Sequence, residues 1–403
     1  MAGPLQTTMF NGVSDFYNGV ITSSLRFNGS NSRLESPTFG GDEGDTWTWS
    51  AWVKFTNQAD DKRGTLFGVA GNNASLYFDS SGQSFLSLND DGSVVRSTSR
   101  LLRDPSSWYH ICLNGNGTLN KLWINGVLAT FDTNANLGKI NEAVVHYIGY
   151  SINSDYYFDG LIADVNFVDG TALDYSAFAE FKNGILIPIE PNVTYSDNGF
   201  RLQFKQTGTS ANASGIGADT SGNNKHFTVT NFDAHDVLPD SPENNFATLN
   251  PLSKQSSSAL SEGNLKAVIT SGGNSGRTPS TFAVSSGKWY WEVRQSSANR
   301  FGMGVFDTDK YVMTNEDAGS DAHEWTFVTD GGDSGTGIAG NNSVRPNYGV
   351  EVANGEIIMV ALDADNDAIW FGKENSWFNT DGSSNSATVK TQIEAGTTTN
   401  AGH

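Results

Sequence analysis

The sequence is short of cysteine, positive charge, long apolar runs and helical periodicity, and each shortage excludes something. Cys112 is the single cysteine of 403 residues, which excludes an intrachain disulfide framework and a cysteine-based zinc site. Lys and Arg total 24 against 44 Asp and Glu, a formal net charge of −20. Phosphate-reading surfaces need clustered cations and none occurs, so nucleic acid and anionic membrane surfaces are poor partners. The longest apolar run, Ile357–Leu362, is far below the ~20 residues of a membrane-spanning helix, so no membrane insertion is expected. Met1–Val20 has neither a cationic start nor an apolar core, so no secretory signal is expected. His110, His146, His226, His235, His323 and His403 are scattered without ligand spacing and receive no metal role.

What the chain does have is turn formers and alternation. The 44 glycines come with abundant Asn, Ser, Thr and Asp, which predicts many turns and short elements. Aromatics at 11% are too many for a disordered chain. At roughly 100–200 residues per domain the length predicts two or three domains. Thr46–Phe55 alternates as a strand, with Trp47, Trp49, Ala51, Val53 and Phe55 on one face and Thr48, Ser50 and Lys54 on the other. Trp52 falls on the polar parity, as a second-layer packer or at a register-shifting bulge. Asn125-Gly126, between Lys121–Ile124 and Val127–Phe131, predicts a two-residue hairpin turn. Leu161, Ala163, Val165 and Phe167 read as one face of a later strand, with Asp164 on the other. Residues 186–250, punctuated by Pro188, Pro191, Pro239 and Pro242, read as a bridge with some β-structure, because Phe200, Leu202, Phe204, Phe227 and Phe232 need a surface to bury against. A second alternating set, Lys288–Val293, Arg300–Val305, Glu356–Leu362 and Ala368–Gly372, predicts another sandwich. The expected fold is all-β: two β-sandwiches joined by a partly structured β/loop bridge.

Order and local motifs carry a family resemblance. Leu25-Arg26-Phe27-Asn28-Gly29, Trp49-Ser50-Ala51-Trp52-Val53-Lys54, Trp108-Tyr109-His110-Ile111, Lys121-Leu122-Trp123-Ile124-Asn125-Gly126 and Tyr157-Phe158-Asp159-Gly160 resemble the LamG-like jelly rolls of the concanavalin A-like lectin/glucanase superfamily. Gly287-Lys288-Trp289-Tyr290-Trp291-Glu292-Val293, Arg300-Phe301-Gly302-Met303-Gly304-Val305 and Ile369-Trp370-Phe371-Gly372-Lys373 resemble the signature strands of a SPRY domain. Asp240-Ser241-Pro242-Glu243-Asn244-Asn245-Phe246-Ala247-Thr248-Leu249-Asn250-Pro251-Leu252, together with Asp219-Thr220-Ser221-Gly222-Asn223, is similar to a LamG-plus-SPRY arrangement of marine tailed-phage virion proteins. The resemblance divides the chain into an N-terminal docking arm (1–24), a LamG-like jelly roll (25–185), a bridge (186–250) and a SPRY-like sandwich (251–403). No closing strand follows Trp377, so that sandwich is expected to lack its last strand: either the strand comes from elsewhere or, the favoured reading, the sequence is a fragment of a longer protein.

A retaining glycosidase needs two carboxyl groups about 5–5.5 Å apart; Glu43-Gly44-Asp45 offers the nearest stretch, but Thr48 stands where laminarinase-like enzymes have their further carboxylate. Gly332-Asp333-Ser334-Gly335 looks like the nucleophile loop of a chymotrypsin-like protease, yet the candidate histidine, His110, falls in the other predicted sandwich and Thr336 replaces the expected second glycine. Asp363, Asp365, Asp367 and Glu374 mimic calcium-loop spacing, but Ala368 replaces the obligatory glycine and the flanks alternate as strands, so a β-hairpin with an acidic tip is expected. The jelly-roll resemblance implies a structural Ca2+ held by Asn28, Gly29 and Asp164. Ligand recognition, of a glycan or a protein, would use exposed aromatics, for which Tyr150, Tyr156 and Tyr157 in a polar loop before a strand and Trp325, Tyr348 and Trp377 in predicted SPRY loops are the candidates.

The resemblance implies a non-enzymatic virion surface protein, a tail fibre or host-binding appendage recognising a cell-surface glycan or protein. Residues 1–24 would contact other virion proteins, the assembly would be a homotrimer, and the protein would be made in the host cytoplasm. A shell-stabilising capsid decoration protein is the alternative, and a carbohydrate-active enzyme the third reading.

Overall fold

The computed structural model describes residues 16–40, 46–56, 64–71, 74–79, 85–90, 93–96, 102–131, 138–152, 156–270, 276–296, 301–309, 321–329, 338–340, 350, 352–379 and 386–395. Two sheets face each other in the first compact unit. The first sheet runs β10 (Val127–Leu128), β9 (Asn120–Ile124), β8 (Tyr109–Asn116), β3 (Thr46–Phe55), β14 (Asp159–Asp169), β1 (Ser24–Asn28), β19 (Val237–Leu238), numbered in chain order. Along β14, β1 pairs with Asp159–Ile162 and β17 (Phe200–Leu202) takes over the same edge at Val165–Phe167. The second sheet runs β18 (Thr228–Thr230), β2 (Arg33–Glu35), β11 (His146–Ile148), β4 (Gly64–Val69), β5 (Ser75–Asp79), β6 (Phe85–Asp90), β7 (Ser93–Arg96). Among the described residues every pairing between these strands is antiparallel, as expected for a jelly roll with one face of each sheet turned to the core.

The alternation in Thr46–Phe55 does what the pattern predicts. Trp47, Trp49, Ala51, Val53 and Phe55 all enter the core with Phe27, Phe67, Phe78, Phe167 and Phe200. Trp52 is a second-layer packer: it lies on the opposite face among Ile21, Trp108, Leu161, Ala163 and Ala179. The bulge is in the partner strand, where Ala163 pairs with Trp52 and Asn166 with Ser50, so two residues of β14 oppose Ala51. This corrects the single-face reading of β14. Leu161 and Ala163 belong to the outer layer, whereas Val165 and Phe167 belong to the core. Asn125 and Gly126 take positive φ (49° and 74°), as the hairpin turn requires.

The expected boundaries need correction. Residues 186–250 are not a bridge but part of the first sandwich: β17 joins one sheet, β18 the other, and β19 borders β1. Phe200, Leu202, Phe204 and Phe227 are all at most 1% exposed, because they fill the core that residues 25–185 leave incomplete. Two hairpins also sit on this unit, β15 (Ala179–Lys182) with β16 (Ile185–Pro188), and β20 (Ser258–Ser261) with β21 (Lys266–Ile269). The turn of the latter is fixed by Gly263 N–H donating to Asp159 (2.9 Å) and by Asn264 Nδ2 donating to the Thr56 carbonyl. The unit therefore continues to Thr270, past the expected break at 250.

The described part of the expected docking arm lies against its own sandwich. Gly19 and Ile21 N–H groups donate to the Glu243 carboxylate (2.9 and 2.6 Å), and Ser23 Oγ donates to the Phe204 carbonyl (2.9 Å). Ile21 is buried in the second layer. Residues 1–15 lie outside the described residues.

The second unit is a smaller sandwich. One sheet runs β22 (Lys288–Arg294), β26 (Ile357–Asp363), β27 (Ala368–Lys373), β28 (Ser376–Trp377); the other runs β23 (Phe301–Phe306), β24 (Glu324–Thr329), β25 (Ile338–Gly340). Met303, Phe327, Ile358, Val360, Ile369 and Phe371 form its core, with Trp291 and Val293 packed against it as the alternation predicts. The acidic stretch is a hairpin tip: Asp363 pairs with Ala368, and its carboxylate accepts from Asp365 N (3.2 Å) and Asn366 Nδ2 (2.9 Å). One element goes beyond the all-strand expectation. Helix α1 (Ser386–Ala395) lays Val389 and Ile393, spaced i, i+4, on Ala361, Ala368 and Trp370.

Candidate ligand-binding ledge on the second sheet

Alternation builds the site. Leu34 and Ile148 are fully buried in the core, so their neighbours Arg33, Glu35 and Tyr147 project from the outer face of the second sheet. The register aligns them: Tyr147 is opposite Glu35 on one side and Gly68 on the other, while Thr228 and Thr230 flank Glu35 and Arg33. After Ile148 the chain must leave the sheet, and Gly149 allows it at φ 80°; a Cβ there would lie 2.2 Å from the Phe27 ring. The hairpin of β12 (Tyr150–Ser151) and β13 (Tyr156–Tyr157) then crosses the outer face at Gly68, where an added Cβ would lie 2.3 Å from the Tyr150 carbonyl oxygen.

That crossing stacks aromatic on aromatic. The Tyr150 and Tyr157 rings are stacked at 4.6 Å, Tyr147 meets Tyr150 edge-on at 5.3 Å, and the Arg33 guanidinium sits 5.1 Å from the centre of the Tyr150 ring. Tyr150 is 8% exposed and Tyr147 7%, whereas Tyr156 and Tyr157 are half-buried. Arg33 Nε donates to Glu35 at 2.7 Å. Partial burial opposes the Arg33 charge, but the hydrogen bond and negative charge of Glu35 outweigh it and hold the guanidinium above its ordinary pKa. Burial, aided by Glu35, raises the Tyr147 phenol. A ring beside a charged donor–acceptor pair can take the C–H face of a sugar and hydrogen-bond its hydroxyls.

Of the sequence candidates, Tyr150, Tyr156 and Tyr157 are brought together, although Tyr150 is the buried underlayer rather than a contact surface. Trp325 and Trp377 are not in loops. Trp325 lies in β24 against the second core, and Trp377 lies in β28, edge-on to Tyr290 at 6.2 Å. Tyr348 lies outside the described residues, as do Glu43–Asp45 and Gly332–Gly335. Arg33, Glu35 and Tyr147 were not singled out from sequence; the signal was the short alternations Arg33-Leu34-Glu35 and His146-Tyr147-Ile148.

The Ca2+ set implied by the resemblance is not assembled. Asn28 Oδ1 accepts from the N–H groups of Ser30, Asn31 and Ser32 (3.0, 3.1 and 3.2 Å) as a turn cap. Gly29 backs onto the Asp159 side chain. Asp164 is the left-handed bulge residue (φ 47°), and its carboxylate accepts from Arg201 Nε (2.7 Å) and Asn166 Nδ2 (3.0 Å). Asn28 pairs with Asp159, five positions from Asp164 or ~16 Å along an extended strand. Among the described residues no three His, Cys, Asp or Glu side chains converge on a metal-sized site.

A second cluster of ionisable groups explains the Asp240–Phe246 motif. Lys54 Nζ, fully buried, donates to Asp240 (2.9 Å), Asn245 Oδ1 (2.8 Å) and the Phe246 carbonyl (2.6 Å), while Trp108 Nε1 donates to the other Asp240 oxygen (2.9 Å). Burial pushes the Lys54 pKa down and that of Asp240 up, and their mutual attraction opposes both shifts. With Glu243 gripping Gly19 and Ile21, the motif ties the N-terminal segment, β3 and the Trp108 loop together.

The fold, an antiparallel two-sheet jelly roll with its inner faces packed as one core, is lectin-like. A family model, Laminin_G_3 of the concanavalin A-like lectin/glucanases superfamily, matches residues 28–174. Solved structures are similar to parts of the chain at low identity. A Bacteroides ovatus protein assigned as carbohydrate binding is 17% identical over 54% of this chain and 59% of its own, with a TM-score of 0.40. The heptameric SAP-like pentraxin of Limulus polyphemus is 20% identical over 38% of this chain and 77% of its own (TM-score 0.30). The enzymatically active domain of tailspike protein 2 of Bacteriophage CBA120 is 15% identical over 36% of this chain and 25% of its own (TM-score 0.28). The chain thus spans less than two thirds of the first and third of these. Comparison with curated proteins finds no match.

Proposed function

We propose that the protein is a non-enzymatic host-attachment protein of a tailed-phage particle, a tail fibre or related appendage, whose first sandwich binds a cell-surface glycan. The observation that carries the binding reading is the half-buried Tyr157 ring stacked on Tyr150 beside the Arg33–Glu35 pair, on the outer face of a lectin-like jelly roll. The virion setting is supported by the sequence resemblance of the two modules and of Asp240–Phe246 to LamG-plus-SPRY virion proteins. Two experiments test the reading. A glycan array with the wild type and Tyr157→Ala should show binding that the substitution removes; turnover of a bound polysaccharide would instead favour an enzyme. Immunogold labelling of particles should mark tail or fibre tips, and label spread over the shell would favour capsid decoration.

A further inference from the structure

The charge arrangement of the ledge narrows the ligand class. This inference rests on the glycan-binding reading and deepens it. We infer that the ledge selects neutral hexopyranose glycans over those bearing uronate or sialate carboxylates.

Arg33 is the cation beside the Tyr150–Tyr157 stack, and it is already matched by Glu35 at 2.7 Å. Both side chains are 28% exposed, so the pair is partly desolvated and its members stay coupled. A sugar carboxylate reaching Arg33 would have to share it with Glu35, placing two negative charges within a few ångströms of each other. Like charges at that separation disfavour each other in a partly desolvated site. The chain's net charge of −20 adds long-range repulsion of polyanions. Hydroxyl groups meet none of these penalties. Nε of Arg33 is used on Glu35 Oε1, so the Nη donors and the second Glu35 oxygen lie outside that bond and can meet the hydroxyls of a sugar on the ledge. An uncharged pyranose with a contiguous C–H face on that ring satisfies both parts of the site.

The test uses the full chain and matched immobilised polysaccharides that differ only at C6: glucan against glucuronan, galactan against galacturonan, and mannan against mannuronan, at 20 and 500 mM NaCl (~20 Å and ~4 Å screening lengths). The expected result is binding to at least one neutral member, with little salt dependence, at least ~10-fold tighter than to its uronate partner. Glu35→Gln, which unmasks Arg33, should narrow or reverse that preference, and Tyr157→Ala should abolish binding to both. Wild-type preference for a uronate member, weakened by salt, would overturn the inference and leave the glycan reading standing. Failure to bind any member, with intact near-ultraviolet circular dichroism, would overturn both.

Discussion

Lys54 Nζ lies 2.9 Å from the Asp240 carboxylate, and the lysine side chain has no solvent exposure. A buried pair of this kind stabilises little relative to apolar residues, yet losing one partner strands the other charge. Lys54→Met is therefore expected to lower unfolding free energy by about 3–5 kcal/mol. The double variant Lys54→Met/Asp240→Leu should recover part of the loss. Urea denaturation of the three proteins checks the order.

Gly68 is the point over which the tyrosine hairpin crosses. Gly68→Val adds atoms where a single Cβ already approaches the Tyr150 carbonyl oxygen to 2.3 Å. The hairpin should shift, with loss of glycan affinity and of the tyrosine near-ultraviolet signal. The melting temperature should fall less than for Lys54→Met, because Gly68 faces away from the core.

The ledge and the second sandwich should separate experimentally. Trp377→Ala removes a ring packed on Tyr290 in the strand-and-helix layer. It should lower thermal stability while leaving glycan affinity at the wild-type value. Equal loss of affinity in Trp377→Ala and Tyr157→Ala would place ligand recognition in the second sandwich instead.

His110 sets a pH dependence. Its ring is fully buried, Nε2 faces Ser50 Oγ at 2.9 Å, and burial lowers its pKa from 6.5 to about 3. The unfolded chain takes up this proton near pH 6.5 and the folded one only near pH 3. The contribution is thus complete above pH 6.5 and declines as pH falls towards 3, by up to ~1.4 kcal/mol per unit. His110→Gln should flatten the fall in unfolding free energy between pH 6.5 and 4 relative to wild type.

Much of the fold was legible because alternation and turn chemistry are local. Trp47 to Phe55 and Asn125-Gly126 carry their structure in their own order. The fate of residues 186–250 was not legible from spacing, because Phe200 and Phe227 reveal only a need for burial, not which sheet supplies it. The bulge at Asp164 was hidden for a related reason: an aspartate in the left-handed region looks like one in a strand, and only its Arg201 partner, 37 residues on, marks the site. Helix α1 escaped because just two apolar residues, Val389 and Ile393, define its buried face. At the ledge, Tyr150, Tyr156 and Tyr157 were visible as a cluster. Arg33 and Glu35 were not, since a three-residue strand more than a hundred positions away gives no hint of its neighbours.

The inner and outer faces of β2 and β11 have separate duties. Leu34 and Ile148 close the core, while Arg33, Glu35 and Tyr147 form the ledge from the same backbone. Outward positions can therefore be exchanged without repacking anything beneath them. Surface substitutions on two short strands could therefore reshape the chemistry of this outer face while leaving the scaffold untouched.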